Sequence, residues 1–77
     1  MLDRETPALS LSFGQFILEA RMARNMTQSE VARIANLSQA YLSKVELEKR
    51  EPTLSVALAI CGALGIDIND FVKQCHT

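Results

Sequence analysis

The chain has 77 residues, of which 48% are apolar and 22% are charged, and its formal net charge is −1 at pH 7. These values are typical of one small folded domain and exclude a multidomain chain or a strongly charged, disordered one. The longest apolar run, residues 54–66, is shorter than the roughly 20 residues that cross a bilayer, and the acidic N-terminus lacks the features of a signal peptide, so we expect a cytoplasmic protein that does not enter a membrane.

The charged residues are distributed unevenly along the chain. Residues 21–50 contain six basic and three acidic side chains, a local charge of +3, whereas residues 1–20 and 51–77 each carry −2. Electrostatic attraction of a polyanion is therefore expected only in the middle of the chain.

The first predicted helix follows an irregular lead-in, residues 1–11. Ser12 and Gln15 have the spacing of a capping box, in which each side chain satisfies a backbone amide at the start of a helix. The helix then runs to about Asn25. Apolar residues at helical spacing form its inner face: Phe13, Ile17 and Ala20.

Two further short helices are predicted in close succession. Thr27 and Glu30 repeat the capping-box spacing, and Asn36 is suited to the left-handed conformation that ends a helix. Ser38 can then cap a third helix, from Gln39 to about Leu47. The inward positions of this third helix are three residues apart: Leu42 and Val45.

A fourth and a fifth helix complete the predicted fold. The fourth runs from about Thr53 to Leu64 and ends at Gly65, and a short fifth helix follows Asp67 and docks onto the rest. We expect the fourth helix to bury five residues: Leu54, Ala57, Leu58, Cys61 and Leu64. The sequence thus predicts an all-α domain over residues 12–74, followed by a C-terminal tail, residues 75–77.

The second and third predicted helices, joined by a three-residue turn, form a helix-turn-helix, which lays its second helix in the major groove of DNA. From about Phe13 to Val72 the chain resembles the Cro/C1-type (Xre-like) helix-turn-helix regulators of bacteria and phages. The resemblance is carried by MTQSEVARIANLSQAYLSKVE, REPTLSVALAICGALGI and INDFV. It implies a compact five-helix, lambda-repressor-like DNA-binding domain.

The resemblance, together with side-chain chemistry, assigns roles to individual residues. We expect base contacts from the recognition helix: Gln39, Ala40, Ser43 and Lys44. We expect contacts to the DNA backbone from five residues: Gln28, Tyr41, Lys49, Arg50 and Arg24. The resemblance also implies a structural ion pair between Arg21 and Glu46.

The side chains of the third helix have the chemistry that base edges require. Gln39 can pair with adenine N6 and N7, Lys44 can reach guanine or a phosphate, and Ala40 can contact a thymine methyl. An ordinary solvated helix face is the alternative for Gln39, Ser43 and Lys44. Leu47 and Glu48 stand where the family usually has Asn-Gly or Arg-Gly, which leaves the path of the 47–52 loop open.

The fourth helix contains no charged residue, although only part of its circumference is needed for the core. Leftover apolar surface on a small domain indicates a partner, and we expect a second copy of the chain, so that two recognition helices meet a palindromic operator. The expected interface comprises Val56, Ala59, Ile60, Ala63 and Phe71. Burial of this surface against the lead-in is the alternative.

The leading hypothesis is a sequence-specific transcriptional regulator that binds double-stranded DNA as a homodimer. A helix-turn-helix module that binds a partner protein, such as an antitoxin or adaptor, is the alternative. We do not expect an enzyme, a metal site or a small-molecule cofactor. The single histidine, His76, and the two cysteines, Cys61 and Cys75, offer neither a nucleophile–base pair nor a closed metal site.

Overall fold

The computed structural model describes residues 12–75, and the lead-in 1–11 and residues 76–77 lie outside the described part of the chain. Residues 12–75 form five α-helices and no strand, which confirms the predicted all-α fold. The helices in chain order are α1 (Phe13–Ala23), α2 (Gln28–Ala35), α3 (Gln39–Glu46), α4 (Leu54–Leu64) and α5 (Ile68–Cys75).

The starts of the first four helices are set by hydroxyl side chains that accept a backbone amide three residues ahead. The capping residues are Ser12, Thr27, Ser38 and Thr53. At α2 the capping box is complete, because the Glu30 carboxylate also accepts the Thr27 amide at 2.8 Å. At α1 the second half is missing. The Gln15 side chain donates to Glu19 at 2.8 Å instead, so our expectation of a complete box there was wrong.

Left-handed residues end two of the helices at the predicted positions. Asn36 has a φ of 61° at the end of α2, and Gly65 has a φ of 70° at the end of α4. α1 ends at Ala23, slightly before the predicted boundary, and Asn25 takes a left-handed φ of 55° in the turn that follows. The turns are thus fixed by residues that tolerate positive φ.

The core lies between α1, α2, α3 and α4. Its most deeply buried side chains come from all four helices: Ile17, Val31, Leu42, Val45, Ile60 and Cys61. α5 closes one side through Phe71, whose ring centroid lies 5.4 Å from that of Phe13 and 5.3 Å from that of Phe16. Aromatic contacts therefore hold the last helix to the first.

The orientation of α4 differs from the prediction. Leu54 is 68% exposed and Leu58 48%, whereas Ile60, which we had assigned to a dimer interface, is fully buried inside the protomer. Val56, Ala59 and Ala63 are half-buried against the core, and Phe71 contacts two other phenylalanines. Ile60 offers no surface to a partner, so its assignment to the interface was wrong.

No single helix within residues 12–75 is long and apolar enough to span a membrane. Two consecutive helices, Leu54–Leu64 and Ile68–Gln74, are together long and apolar enough, but they are bent by 107° relative to each other.

Candidate nucleic-acid interface

The turn between α2 and α3 fixes the angle between these two helices. Asn36 reverses the chain in the left-handed conformation, and the Leu37 amide donates to the Ala32 carbonyl at 2.8 Å. Ala32 is only 2% exposed, and its small side chain lets the two helices approach each other. α3 is thereby held rigidly against α2 as the second helix of a helix-turn-helix.

α3 buries one face and exposes the other. Leu42 and Val45 are 0% and 1% exposed, so the helix is anchored in the core on one side. The residues that we expected to contact bases lie together on the other side. Gln39, Ala40 and Lys44 are exposed, and Ser43 is half-buried.

An ion pair anchors the C-terminal end of α3 to α1. Arg21 Nε donates to Glu46 Oε2 at 2.7 Å, and a second guanidinium nitrogen donates to Glu46 Oε1 at 3.0 Å. The side chains are only 15% and 3% exposed. The same guanidinium donates to the Met26 carbonyl at 3.0 Å, which ties the loop between α1 and α2 to this pair. Removing one partner of such a buried, bidentate pair is costly, because it leaves the other charge without compensation.

Gln28 extends this buried network to the exposed face. Its Nε2 donates to Glu46 Oε1 at 2.9 Å, and its Oε1 lies 3.5 Å from Gln39 Nε2, a long hydrogen bond. Ser29 Oγ in turn donates to Gln39 Oε1 at 3.3 Å. Sequence reasoning assigned Gln28 to a phosphate but missed its bond to Glu46 and the whole role of Ser29. The sequence offered one signal for these contacts, namely that Gln28 and Ser29 begin α2 and Gln39 begins α3.

The loop after α3 turns back towards the start of α1. Glu48 adopts a left-handed φ of 63°, and its carboxylate accepts a hydrogen bond from the Ser12 hydroxyl. The Lys49 amide donates to the Lys44 carbonyl at 2.8 Å. This bond closes a tight turn at the end of α3. The contact with Ser12 holds the Glu48 carboxylate at the N-terminus of α1.

Three basic residues that we expect to contact the DNA backbone differ in their surroundings: Lys49, Arg50 and Arg24. Lys49 and Arg50 are exposed, and the Arg50 guanidinium carbon lies 5.6 Å from the centroid of the Tyr41 ring, within the range of a cation–π contact. Tyr41 is half-buried and packs against the core. Arg24 is exposed, but its guanidinium donates to the Ala20 carbonyl of its own helix at 3.1 Å, so it stabilises the end of α1.

Metal ligands and nucleophiles are the other functional groups to consider within residues 12–75. No group of three or more histidine, cysteine, aspartate or glutamate side chains within residues 12–75 can hold a metal ion. Cys61 is buried, and burial, with a smaller effect from the negative charge of Asp67, raises the pKa of its thiol. A thiol held in its neutral form is a poor nucleophile.

Comparison with known proteins yields one family. The family model HTH_3, a helix-turn-helix, matches residues 17–71. The immunity repressor protein of Bacillus phage phi105 is 40% identical over 64 residues, which are 83% of this chain and 44% of the repressor. The transcriptional regulator ClgR of Mycobacterium tuberculosis is 36% identical over 56 residues, 73% of this chain and 50% of that protein. The chain therefore spans about half the length of the curated relatives it matches.

Solved structures show the same fold. The restriction-modification controller protein C.AhdI from Aeromonas hydrophila superposes with a TM-score of 0.73 and 31% sequence identity. The match covers 75% of this chain and 88% of the controller protein. The arrangement of helices described above is thus shared with a protein of nearly the same extent.

Proposed function

The chain belongs to the helix-turn-helix family, and from this premise we propose that it is a sequence-specific DNA-binding transcriptional regulator that inserts α3 into the major groove. The observation that carries the proposal is the division of α3 into a fully buried face and an exposed face of small, polar and basic side chains. An α-helix with its side chains is about 10–12 Å across, and the major groove is about 12 Å wide. α3 can therefore lie in the groove with its exposed side chains towards the base edges.

The exposed residues of α3 supply the hydrogen-bonding groups that distinguish bases. The Gln39 amide can accept from adenine N6 and donate to N7, and Lys44 can donate to guanine O6 and N7. Ala40 can place its methyl group against that of thymine. The half-buried Ser43 lies between them and can donate or accept. These residues are our candidates for base recognition.

The flanking residues are suited to phosphates. Lys49 and Arg50 follow directly after α3 and are exposed, and stacking on Tyr41 limits the directions in which Arg50 can point. The Glu48 carboxylate between them and α3 accepts a hydrogen bond from the Ser12 hydroxyl. Contacts of this kind position a protein on DNA without selecting a sequence, and they make binding sensitive to salt.

We propose that the regulator acts as a homodimer through the outer face of α4. Leu54 and Leu58 lie one turn apart and are 68% and 48% exposed, and Val72 on α5 is 43% exposed. A two-fold dimer repeats one surface on both subunits and would present two α3 helices to a palindromic site. These three residues replace Ile60 as the centre of the proposed interface. A cytoplasmic location follows from this function, because the protein has to reach the chromosome.

A protein-binding module is less well supported by the same face. Protein interfaces rely on aromatic and arginine anchors that enter pockets of the partner. Tyr41 is the aromatic residue of α3, and it is half-buried against the core with Arg50 over its ring. The side chains that remain for a partner are those that suit base edges.

The test is a fluorescence-anisotropy titration against the DNA upstream of the protein's own gene and against scrambled DNA, at several salt concentrations. The wild-type protein is expected to bind the upstream DNA tightly and in a salt-dependent manner. A Gln39→Ala, Lys44→Ala double variant is expected to lose at least about thirtyfold in affinity, because it removes two base contacts and each good contact contributes roughly 1–3 kcal/mol.

A matched control carries Gln15→Ala and Arg33→Ala, which removes one exposed amide from α1 and one exposed charge from α2, outside both α3 and the proposed dimer interface. This control is expected to retain its preference for the upstream DNA. Equal, weak binding of both DNAs by the wild-type protein would contradict the proposed function.

A further inference from the structure

We infer that Leu47, the residue directly after α3, recognises a thymine by packing its side chain against the C5-methyl group in the major groove. Leu47 is 62% exposed, although leucine is usually found in the interior of a protein. The inference rests on the proposed function, because it concerns the same face of α3. It goes beyond that function by adding an apolar specificity-determining residue to the candidates for base recognition.

The first step is the direction in which Leu47 points. Its φ of −85° and ψ of 0° lie in the right-handed helical region, and its amide donates to the Ser43 carbonyl at 3.0 Å. Leu47 therefore continues the helical path of α3. At 3.6 residues per turn it lies about 40° from Ser43 and about 20° from Ala40 around the helix axis. Its side chain thus belongs to the exposed face, on the side opposite the buried Leu42 and Val45.

The second step is that the fold does not account for a leucine at position 47. Within residues 12–75, Leu47 belongs neither to the buried core nor to the apolar residues packed against it. The turn that follows is closed by backbone atoms, since the Lys49 amide donates to the Lys44 carbonyl at 2.8 Å. A polar side chain would serve this turn equally well. The apolar side chain is therefore available for a contact outside the protomer.

The third step is the charge around Leu47, which indicates the chemistry of its partner. Three exposed cations are close to it along the chain: Lys44, Lys49 and Arg50. The acids on either side of Leu47 are both engaged inside the protomer, Glu46 by an ion pair and Glu48 by a hydrogen bond. Such a surface attracts a polyanion. In the major groove of DNA, the apolar group that a leucine can contact is the C5-methyl of thymine.

The fourth step separates the thymine of Leu47 from the one proposed for Ala40. The two residues lie almost in line along α3 and are seven residues apart, which is about 10 Å at the helical rise. Neighbouring base pairs are only about 3.4 Å apart. Ala40 and Leu47 therefore contact different base pairs, and each contact can be removed without the other.

The test replaces thymine by uracil, which removes the C5-methyl group and leaves the hydrogen bonds of the base pair unchanged. The wild-type protein first selects its tightest duplex from a randomised library, and each thymine of both strands is then replaced singly. Fluorescence anisotropy gives the affinities. The wild-type protein is expected to lose about fourfold at the thymine that Leu47 contacts, the effect of one buried methyl-sized group. Leu47→Ala and Leu47→Asn are expected to bind the thymine and uracil duplexes equally well at that position.

Two controls separate this contact from a general loss of binding. Ile34→Ala shortens another exposed apolar side chain, 53% exposed, on α2. It is expected to keep the fourfold loss of the wild-type protein at the same thymine. The Leu47 variants should retain the wild-type response to uracil at every other thymine and the wild-type thermal unfolding midpoint, because Leu47 is not part of the core.

Two results would overturn the inference while leaving the proposed function intact. In the first, the wild-type protein selects a sequence, but uracil lowers its affinity at no thymine. In the second, the Leu47 variants lose affinity at the same thymines and by the same factors as the wild-type protein. If the wild-type protein selects no sequence at all, the proposed function fails, and the inference fails with it.

Discussion

Gly14 lies directly against the Val45 carbonyl at the end of the recognition helix α3, so closely that a Cβ atom on Gly14 would overlap the Val45 oxygen. The same Cβ would lie 3.0 Å from the Glu46 carbonyl oxygen. The start of α1 thus contacts the backbone of α3 with no side chain between them. This contact and the Arg21–Glu46 ion pair hold α3 from two sides.

The close contact at Gly14 predicts an unequal response to two chemically identical substitutions. Gly14→Ala is expected to destabilise the protein by about 2 kcal/mol or more, because backbone atoms must move to admit the methyl group. Gly62→Ala is the control. It lies in α4 with nothing within 4 Å of the added Cβ, and it is expected to stabilise the protein by about 0.5–1 kcal/mol. Thermal unfolding followed by circular dichroism measures both. Equal destabilisation by the two variants would contradict the close contact.

The buried ion pair predicts strong coupling between its partners. Arg21→Ala and Glu46→Ala are each expected to cost about 3–5 kcal/mol, because each leaves a buried charge unpaired. An Arg21→Met, Glu46→Leu double variant should lose less than either single variant, since no charge is left in the interior. Urea unfolding gives the free energies.

Arg33→Ala is the control for this ion pair, because it removes an exposed arginine from α2. It is expected to change the free energy of unfolding by less than about 0.5 kcal/mol. If the double variant at positions 21 and 46 loses as much free energy of unfolding as the two single variants together, the expected coupling between Arg21 and Glu46 is contradicted.

The exposed face of α4 predicts a specific effect on oligomeric state. A Leu54→Lys, Leu58→Lys variant is expected to sediment as a monomer at concentrations where the wild-type protein forms the proposed dimer, because charged residues would then face each other across the proposed two-fold axis. Ile34→Lys is the matched control. It replaces another exposed apolar residue, 53% exposed, that lies on α2. Analytical ultracentrifugation measures the three proteins, and a dimer that survives the double substitution would exclude α4 as the interface.

The buried thiol predicts a loss of stability at alkaline pH. The pKa of Cys61 is raised above its ordinary value of 9.0 in the folded protein. In the unfolded chain the thiol has its ordinary pKa, so it loses its proton at a lower pH than the thiol of the folded protein does. Cys61 therefore favours folding less and less as the pH rises from about 9 through the raised pKa. In unfolding titrations at pH 8 and pH 10, the wild-type protein should lose more stability than Cys61→Ala. An equal loss in both proteins would mean that other groups account for the pH dependence.

Local features of the fold could be predicted from the sequence because they depend on only a few neighbouring residues. The capping box of Thr27 and Glu30 closes within four residues, and Asn36 and Gly65 end their helices through their own backbone preferences. Such signals do not depend on the rest of the chain. The same reasoning overestimated the α1 capping box, because Gln15 has a competing partner one turn further along, in Glu19.

Features that depend on tertiary contacts were harder to predict. α4 has no charged residue, so its sequence contains little information on which face is buried, and Ile60 rather than Leu54 or Leu58 faces the core. Glu48 bonds to Ser12, 36 residues away, and no pattern along the chain predicts that contact. In the candidate interface, the sequence predicted that Leu42 and Val45 are the buried side of α3, but not the polar network beside its exposed side.

The direction of hydrogen bonding from Glu46 to Gln39 limits how this position can evolve. Gln28 presents an oxygen to residue 39, so a side chain that donates can replace Gln39, whereas one that only accepts meets an unfavourable oxygen–oxygen contact. Arginine at position 39 would satisfy the Gln28 oxygen, whereas the carboxylate of glutamate would be repelled by it. A side chain that only accepts hydrogen bonds therefore fits at position 39 only if position 28 changes as well.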